Sequence, residues 1–329
     1  MRVLVCSAKS DEISLFQSLN HHKYDLHFTE KALDKESVKD IAEFDVICCF
    51  VSDQLNREVL DKLKQKGVKL IALRSAGFDH IDIDAANEFN LPVVRVPSYS
   101  PHAIAEFALG LVFALVRKIT RAHDQVRRHN FSLEGQLGFN LQGKTIGIIG
   151  TGQIGTVFAK ILSGFDCKLL AYDPVPNSVC IEWGVTYTAQ DRLFQESDII
   201  SLHCPLNAKS HYLINEKSLG LMKEKVVIIN TGRGALIDTK AMIHALKEGK
   251  VGALGLDVYE HESELFFKDR SDETILDDQF IRLQSFPNVL ITAHQAYFTY
   301  EALEGIVKTT LKNIFNFEKG VYVNKVSPA

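Results

Sequence analysis

The sequence contains no C-x-x-C pair and no cysteine or histidine spacing of the kind that holds zinc. Its six cysteines, Cys6, Cys48, Cys49, Cys167, Cys180 and Cys204, are scattered, several of them inside apolar runs such as "VICCF" where a thiol serves as a small hydrophobe. That pattern excludes a disulfide scaffold and points to a reducing, cytoplasmic compartment. There is no excess of positive charge either. Lys and Arg number 37 against 41 Asp and Glu, for a formal charge of -4, which removes long-range attraction to nucleic acid or an acidic membrane and leaves room only for local basic sites. No apolar run reaches the roughly 18 residues needed to cross a bilayer. The longest, "FALGLVFALV" at 107–116, is closed by Arg117 and Lys118, and the opening "MRVLVCSAKSDE" is interrupted by Lys9 and Asp11 too soon for a signal-peptide core. Low-complexity linkers and solenoid repeats are missing too. With no H-E-x-x-H or similar cluster, and with His21 and His22 reading as solvated, no metal is expected.

What remains is an ordinary globular composition, 46% hydrophobic and 24% charged over 329 residues, enough chain for two cores. Short β-rich runs alternate with polar, leucine-spaced segments over the first hundred residues: "RVLVC", "YDLHF", "DVICCF", "KLIALR" and "PVVRV". Such alternation indicates βαβ units and a mostly parallel sheet. A helical stretch from about Pro101 to about Asn130, with proline in its first turn, separates these from a second series: "KTIGIIG", "CKLLAYD", "DIISLH", "VVIIN", "GALGLDV" and "NVLITA". Six runs suit a doubly wound dinucleotide-binding sheet. Only one long helical pattern follows, "YEALEGIVKTTLKNIFNFEKG", and a single helix is not a domain. It is therefore expected to pack back on the first region, giving two doubly wound α/β domains in which residues 100–296, a Rossmann domain, are inserted into a discontinuous domain of residues 1–99 and 297–329.

Within "KTIGIIGTGQIGTVFAKIL", Gly150, Gly152 and Gly155 have G-x-G-x-x-G spacing directly after a strand and before an amphipathic helix, with Gln153 and Ile154 between. Gly150 permits the tight turn, Gly152 lets amides approach a pyrophosphate, and Gly155 lets helix and strand pack closely, the helix N-terminus facing the negative charge. The strand "CKLLAYD" ends at Asp173, placed to accept from an adenosine ribose and to repel a 2′-phosphate. No Arg or Lys follows in "DPVPNS", so NAD is expected over NADP. An aspartate before Pro174 also suits a turn cap, and the two roles are compatible.

The last three strands of the second series each end in a reactive residue: Arg233 after "VVIIN", Glu262 after "GALGLDV" and His294 after "NVLITA". In an open parallel sheet the ligand lies beyond the carboxyl ends of the strands, so all three converge on the nicotinamide end. Hydride reduction of a carbonyl needs a proton donor for the developing alkoxide, and histidine is the side chain suited to it. Glu262 on its far nitrogen would fix the tautomer and stabilise the imidazolium. Arg233 offers a planar fork for a carboxylate and positive charge near the carbonyl oxygen, which suits a 2-oxo acid. Taken singly, each residue has a plain alternative: a histidine at a strand end, a solvated glutamate beside Glu260 and Glu264, an arginine tying down a loop. Asp257 is placed to bond the nicotinamide amide or to buttress Arg233, with a cap role open as well. His203, Cys204 and Pro205 in "LHCPLN", and Thr231, Gly232 and Arg233, are expected to line the cofactor; Cys204 is read as a buried thiol rather than a nucleophile.

These stretches, with "RSAGFDHID", "RVPSYSPHAIAEFALGL", "NTGRGALID", "GLDVYEHE" and "TAHQAYFT" in order along nearly the whole chain, resemble the D-isomer-specific 2-hydroxyacid dehydrogenases, on the branch of the bacterial fermentative lactate dehydrogenases. The resemblance implies a flavodoxin-like catalytic domain carrying the inserted cofactor domain. It implies NADH-dependent reduction of pyruvate to D-lactate, with Arg233 on the carboxylate and Glu262 and His294 as the proton-donating pair. It also implies that amides near Ala76 and Gly77 and the hydroxyl of Tyr99 meet the substrate, that Tyr297 crowds its side chain, and that the helix near 101–120 makes a homodimer or homotetramer; otherwise this apolar helix is buried between domains. Two other functions suit the same residues: a dehydrogenase for a branched or phosphorylated acid, and an NADH-sensing regulator on the same scaffold.

Overall fold

Two parallel sheets account for the strands of the computed structural model, which describes residues 1–326 and, of Glu264, the main chain alone. The first sheet has five strands, β1 (Arg2–Val5), β2 (Asp25–Phe28), β3 (Val46–Cys49), β4 (Leu70–Leu73) and β5 (Val93–Val94), in the order β2-β1-β3-β4-β5. Every residue of β3 and β4 is buried, which is why those strands read as continuous apolar runs rather than alternating ones. The helix Tyr300–Glu318 packs on β4 and on the helix Ser10–Leu19, burying Leu303, Ile306, Val307, Leu311 and Ile314. Beyond it the chain pairs Lys325 antiparallel with Val94, so this unit is built from Met1–Ser100 and the described residues from Phe298 onward.

The second unit, Pro101–Tyr297, holds β6 (Thr145–Ile149), β7 (Lys168–Tyr172), β8 (Thr186–Tyr187), β9 (Ile199–Leu202), β10 (Val226–Asn230), β11 (Val251–Leu256) and β12 (Val289–Ile291). Their order is β12-β11-β10-β9-β6-β7-β8, all parallel. The division falls one residue later than the expected boundaries at each crossing, and the last three residues of the expected C-terminal segment lie outside the described chain. Side chains on β10 alternate between two cores: Val226 and Ile228 join Leu193, Phe194 and Leu236 on one face, while Val227 and Ile229 join Phe158 and Ala159 on the other.

Two details depart from the sequence reading. The edge strand β8 has two residues, too few to show an apolar pattern. The helical stretch from Pro101 is not continuous to Asn130: it breaks into helices Pro101–Val116 and Ile119–Arg127 because Lys118 adopts a left-handed conformation at φ +53°. The first of these buries Ala105, Ala108, Leu111, Val112 and Val116 against the face that also carries Phe158 and Leu162.

Candidate active site

The order of the second sheet reverses at β6, and the crevice beyond the carboxyl ends of β6 and β9 is where an open α/β sheet binds its ligand. Gly150 closes β6 in a left-handed turn at φ +93°, and a Cβ there would lie 2.7 Å from the main-chain nitrogen of Cys204. At Gly155 an added Cβ would sit 1.9 Å from the carbonyl oxygen of Gly150, so the helix Gln153–Leu162 approaches its strand at a distance only glycine allows. Gly152, the N-cap of that helix, is different. Nothing lies within 4 Å of its missing Cβ, which leaves the helix N-terminus open to an anion.

Asp173, one residue past β7, takes the Thr151 amide on one carboxylate oxygen at 2.7 Å and the Val175 amide on the other at 2.9 Å. It is thereby aimed across the glycine turn with lone pairs remaining for a ribose. The segment after β9 behaves less simply. The His203 imidazole turns inward, 2.9 Å from the Ser201 hydroxyl and packed on the Phe158 ring, and burial pushes it down to about 3. The His203 ring is thus engaged within the fold, which leaves its main chain for the expected cofactor contact. Burial raises the Cys204 thiol to about 11, which suits an inert lining group. After β10, the side-chain oxygen of Asn230 accepts from the Gly232 amide and its nitrogen donates to the Arg233 carbonyl, bracing the turn that carries Arg233. The Arg233 guanidinium donates to the Gly232 carbonyl at 2.9 Å. Thr231 is 8% exposed and its buried hydroxyl has no partner among the described residues. Orphaned hydroxyl, open helix N-terminus and aimed carboxylate are the groups a dinucleotide would satisfy, so these residues fit NAD.

Glu262 opens a short 3-10 turn after β11 and splits its carboxylate: Oε2 accepts from the Tyr259 amide at 2.9 Å, and Oε1 lies 2.7 Å from Nδ1 of His294. Glu260 does not compete, since its carboxylate is engaged by the Tyr212 hydroxyl and faces the Thr239 amide. That hydrogen bond drives the Tyr212 phenol up to about 12. His294 sits past β12 in a left-handed conformation at φ +52°, its side chain about one-fifth exposed and its ring near that of Phe267. Nε2 makes no hydrogen bond among the described residues and is the nitrogen left for a substrate.

Asp257, fully buried, supplies what holds His294 in that conformation. Its carboxylate accepts from the Thr292 hydroxyl at 2.6 Å, the Gln295 amide at 2.9 Å and the Ala296 amide at 2.8 Å, while its main-chain carbonyl accepts from the His294 amide at 2.7 Å. The sequence reading aimed Asp257 at the nicotinamide or at Arg233; the bonds it makes are to the residues flanking His294. Phe267 is a second neighbour: its segment, "SELFFKDRSDETILDDQFIRL", resembles the lactate dehydrogenase branch, but nothing in the sequence says that this ring will meet His294. In the first unit, Ala76 and Gly77 lie in the turn after β4, and Tyr99 lies against Gly305 of the C-terminal helix. Tyr297 is the last residue of the second unit. Among the described residues no three His, Cys, Asp or Glu are grouped to hold a metal, and no helix is long and apolar enough to cross a membrane.

Residues 109–296 match the family model described as "D-isomer specific 2-hydroxyacid dehydrogenase, NAD binding domain". The D-lactate dehydrogenase of Escherichia coli is 49% identical over 97% of this chain and 98% of its own. A solved structure described as the pyruvate reductase of Chlamydomonas reinhardtii superposes with a TM-score of 0.93 at 42% identity, covering 98% of this chain and 97% of that one. The Aquifex aeolicus D-lactate dehydrogenase, solved with NAD and lactic acid, gives a TM-score of 0.86 at 37% identity over 97% and 96% of the two chains. The glycine turn, the Glu262–His294 pair and these full-length likenesses lead to one conclusion: the chain belongs to the D-isomer-specific 2-hydroxyacid dehydrogenases.

Proposed function

We propose that the chain is an NAD-dependent D-lactate dehydrogenase, and that the observation carrying this reading is the Glu262–His294 pair at the carboxyl end of the sheet that also presents Arg233. When bound, the reduced nicotinamide supplies a hydride to the carbonyl carbon of pyruvate. Arg233 pairs its planar fork with the substrate carboxylate and sets positive charge beside the carbonyl oxygen as it becomes negative. His294, held at Nδ1 by Glu262, gives the proton on Nε2 to that oxygen, and hydride plus proton complete the 2-hydroxy acid. In the opposite direction the neutral ring takes the hydroxyl proton, and Glu262 stabilises the imidazolium that forms.

Amides near Ala76 and Gly77 and the hydroxyl of Tyr99 bind the acid, and Tyr297 crowds its side chain, as the family resemblance implies. The relatives' assignments to lactate and pyruvate support the small substrate. An apolar pocket separates acids differing by one methylene by only about 1–3 kcal/mol, so larger 2-oxo acids are turned over at lower efficiency. The enzyme is cytoplasmic and assembles as a homodimer or homotetramer through the helix near 101–120. That reading is supported by six free cysteines and by Phe131, Leu133 and Leu137, which are 71%, 85% and 88% exposed.

The test is loss of NADH absorbance with pyruvate, 2-oxoisocaproate, hydroxypyruvate or no acid. Pyruvate should give the highest kcat/KM. A preference for another acid would move the enzyme within its family, and folded, NADH-binding protein that turns over none of them would make it a sensor.

A further inference from the structure

The turn after β4 is clamped in an unusual way. Three successive carbonyls in it are each taken by a separate donor. Ser75 accepts from the Val96 amide at 3.1 Å, Ala76 from the Arg95 guanidinium at 2.5 Å, and Gly77 from the Ser75 hydroxyl at 2.7 Å. The amides of Ala76 and Gly77 make no hydrogen bond among the described residues. Arg95 is itself held from behind. Its amide donates to the Asn324 carbonyl at 3.1 Å, its carbonyl accepts from the Asn313 side chain at 2.8 Å, and Asn324 in turn donates to Asn313 at 2.9 Å. Asn313 is 2% exposed, on the C-terminal helix. The guanidinium also lies over the Phe78 ring, 5.3 Å from its centroid, so both its plane and its reach are restricted.

We propose that Arg95 is a positioning residue for the substrate acid, acting through the Ala76–Gly77 peptide; this rests on the reading above that amides of this turn bind the carboxylate. A trans peptide is planar, with its C=O and N–H pointing opposite ways, so a donor that fixes the Ala76 carbonyl also fixes the Gly77 N–H on the far side. The donor is charged, and a charge-assisted bond to the carbonyl polarises the peptide and makes its N–H a better donor to an anion. Arg95 never needs to touch the acid. The same chain of bonds gives the C-terminal segment a task in the site: Asn313 and Asn324 hold Arg95, and Arg95 holds the peptide.

The experiment compares Arg95→Met, Arg95→Gln and Arg95→Lys with the wild type, measuring pyruvate KM, kcat, NADH Kd by fluorescence and melting temperature. Arg95→Met should raise pyruvate KM about 10- to 100-fold, the worth of one hydrogen bond to a charged group, with NADH Kd and melting temperature nearly unchanged. Lysine keeps a charged donor but not the planar group that lies over Phe78, and glutamine keeps only a shorter, neutral donor, so both should fall between Met and Arg. If the Met variant does not fold, a several-fold rise in KM for the Lys and Gln variants at wild-type melting temperature carries the same result. Unchanged KM in the folded variants overturns the assignment, as does a KM rise matched by equal losses of NADH affinity and thermal stability. Wild-type protein that reduces no 2-oxo acid would instead defeat the underlying functional reading, and the role of Arg95 with it.

Discussion

Nδ1 of His294 lies 2.7 Å from Oε1 of Glu262, and the same histidine has a left-handed main chain at φ +52°. A non-glycine residue in that region carries strain that the surroundings must offset. Here the offset comes from Asp257, which ties down the His294 amide and the two amides that follow it. The imidazole is thus aimed by its backbone and fixed in tautomer by its carboxylate partner.

His294→Ala should therefore lower kcat for pyruvate reduction by on the order of 10² to 10⁴, the range for a general acid, and leave NADH affinity nearly intact. Glu262→Gln should lose a comparable amount, because a neutral amide neither stabilises the imidazolium nor enforces the tautomer. Steady-state rates with fluorescence titration of NADH check both. A large fall in NADH affinity in either variant would mean that the pair shapes the cofactor site instead.

Asp257→Asn tests the support beneath the histidine. The carboxylate accepts three hydrogen bonds, and an amide must turn at least one donor toward another donor. The expected result is a drop in kcat of at least about tenfold at unchanged oligomeric state, with a loss of about 1–3 kcal/mol in urea unfolding from the unsatisfied buried groups. Wild-type kcat in this variant would show that His294 keeps its aim without Asp257.

Much of this arrangement is legible in the sequence. The strands that carry Arg233, Glu262 and His294 are apolar runs with turn residues at their ends, and the glycine spacing after "KTIGII" states where the turn must be. Hidden are features that depend on partners far apart in the chain. Nothing near Asp257 says that its carboxylate will meet Thr292, Gln295 and Ala296, and "LHCPLN" does not say that the His203 ring will turn toward Phe158. The break at Lys118 carries no glycine or proline to mark it, so the helical pattern reads straight through. The buried pair of Glu12 and Arg74, 62 residues apart, is likewise invisible until the sheet brings them together.

That pair makes a stability prediction. Arg74 Nη1 lies 2.5 Å from Glu12 Oε1, with the two side chains 0% and 5% exposed, and Nη2 donates to the Cys6 carbonyl. Removing one partner strands a buried charge, so Glu12→Ala should cost about 3–5 kcal/mol in chemical unfolding. A loss below about 1 kcal/mol would mean that water reaches Arg74 and that the pair is of surface strength.

His203 should give the protein an acid-sensitive component of stability. Its folded imidazole titrates at about 3 because burial disfavours the charged ring, while the unfolded chain binds that proton near the ordinary value of about 6.5. The unfolded state therefore holds more protons between these values. Stability from this group is intact above about pH 6.5, falls as the pH drops, and is fully lost near 3. Unfolding free energy should decrease by about 1 kcal/mol between pH 6 and 5 on this account, and His203→Gln, which keeps a partner for Ser201, should remove that slope. An unaltered slope would assign the pH response to other groups.

Two glycines of one motif should behave oppositely. A methyl group at Gly155 would lie 1.9 Å from the Gly150 carbonyl oxygen, a contact that forces helix Gln153–Leu162 away from its strand. Gly155→Ala is thus expected to lose several kcal/mol of stability, the upper range for overpacking, and cofactor binding with it. At Gly152 the missing Cβ has nothing within 4 Å, and its φ of -65° suits any residue. Gly152→Ala should melt like the wild type or slightly higher, since alanine has less conformational freedom to lose on folding. Its methyl group occupies the space a pyrophosphate needs at the helix N-terminus, so NADH should bind at least tenfold more weakly in a fluorescence titration. If Gly152→Ala kept both its stability and its NADH affinity, the pyrophosphate would have to lie elsewhere.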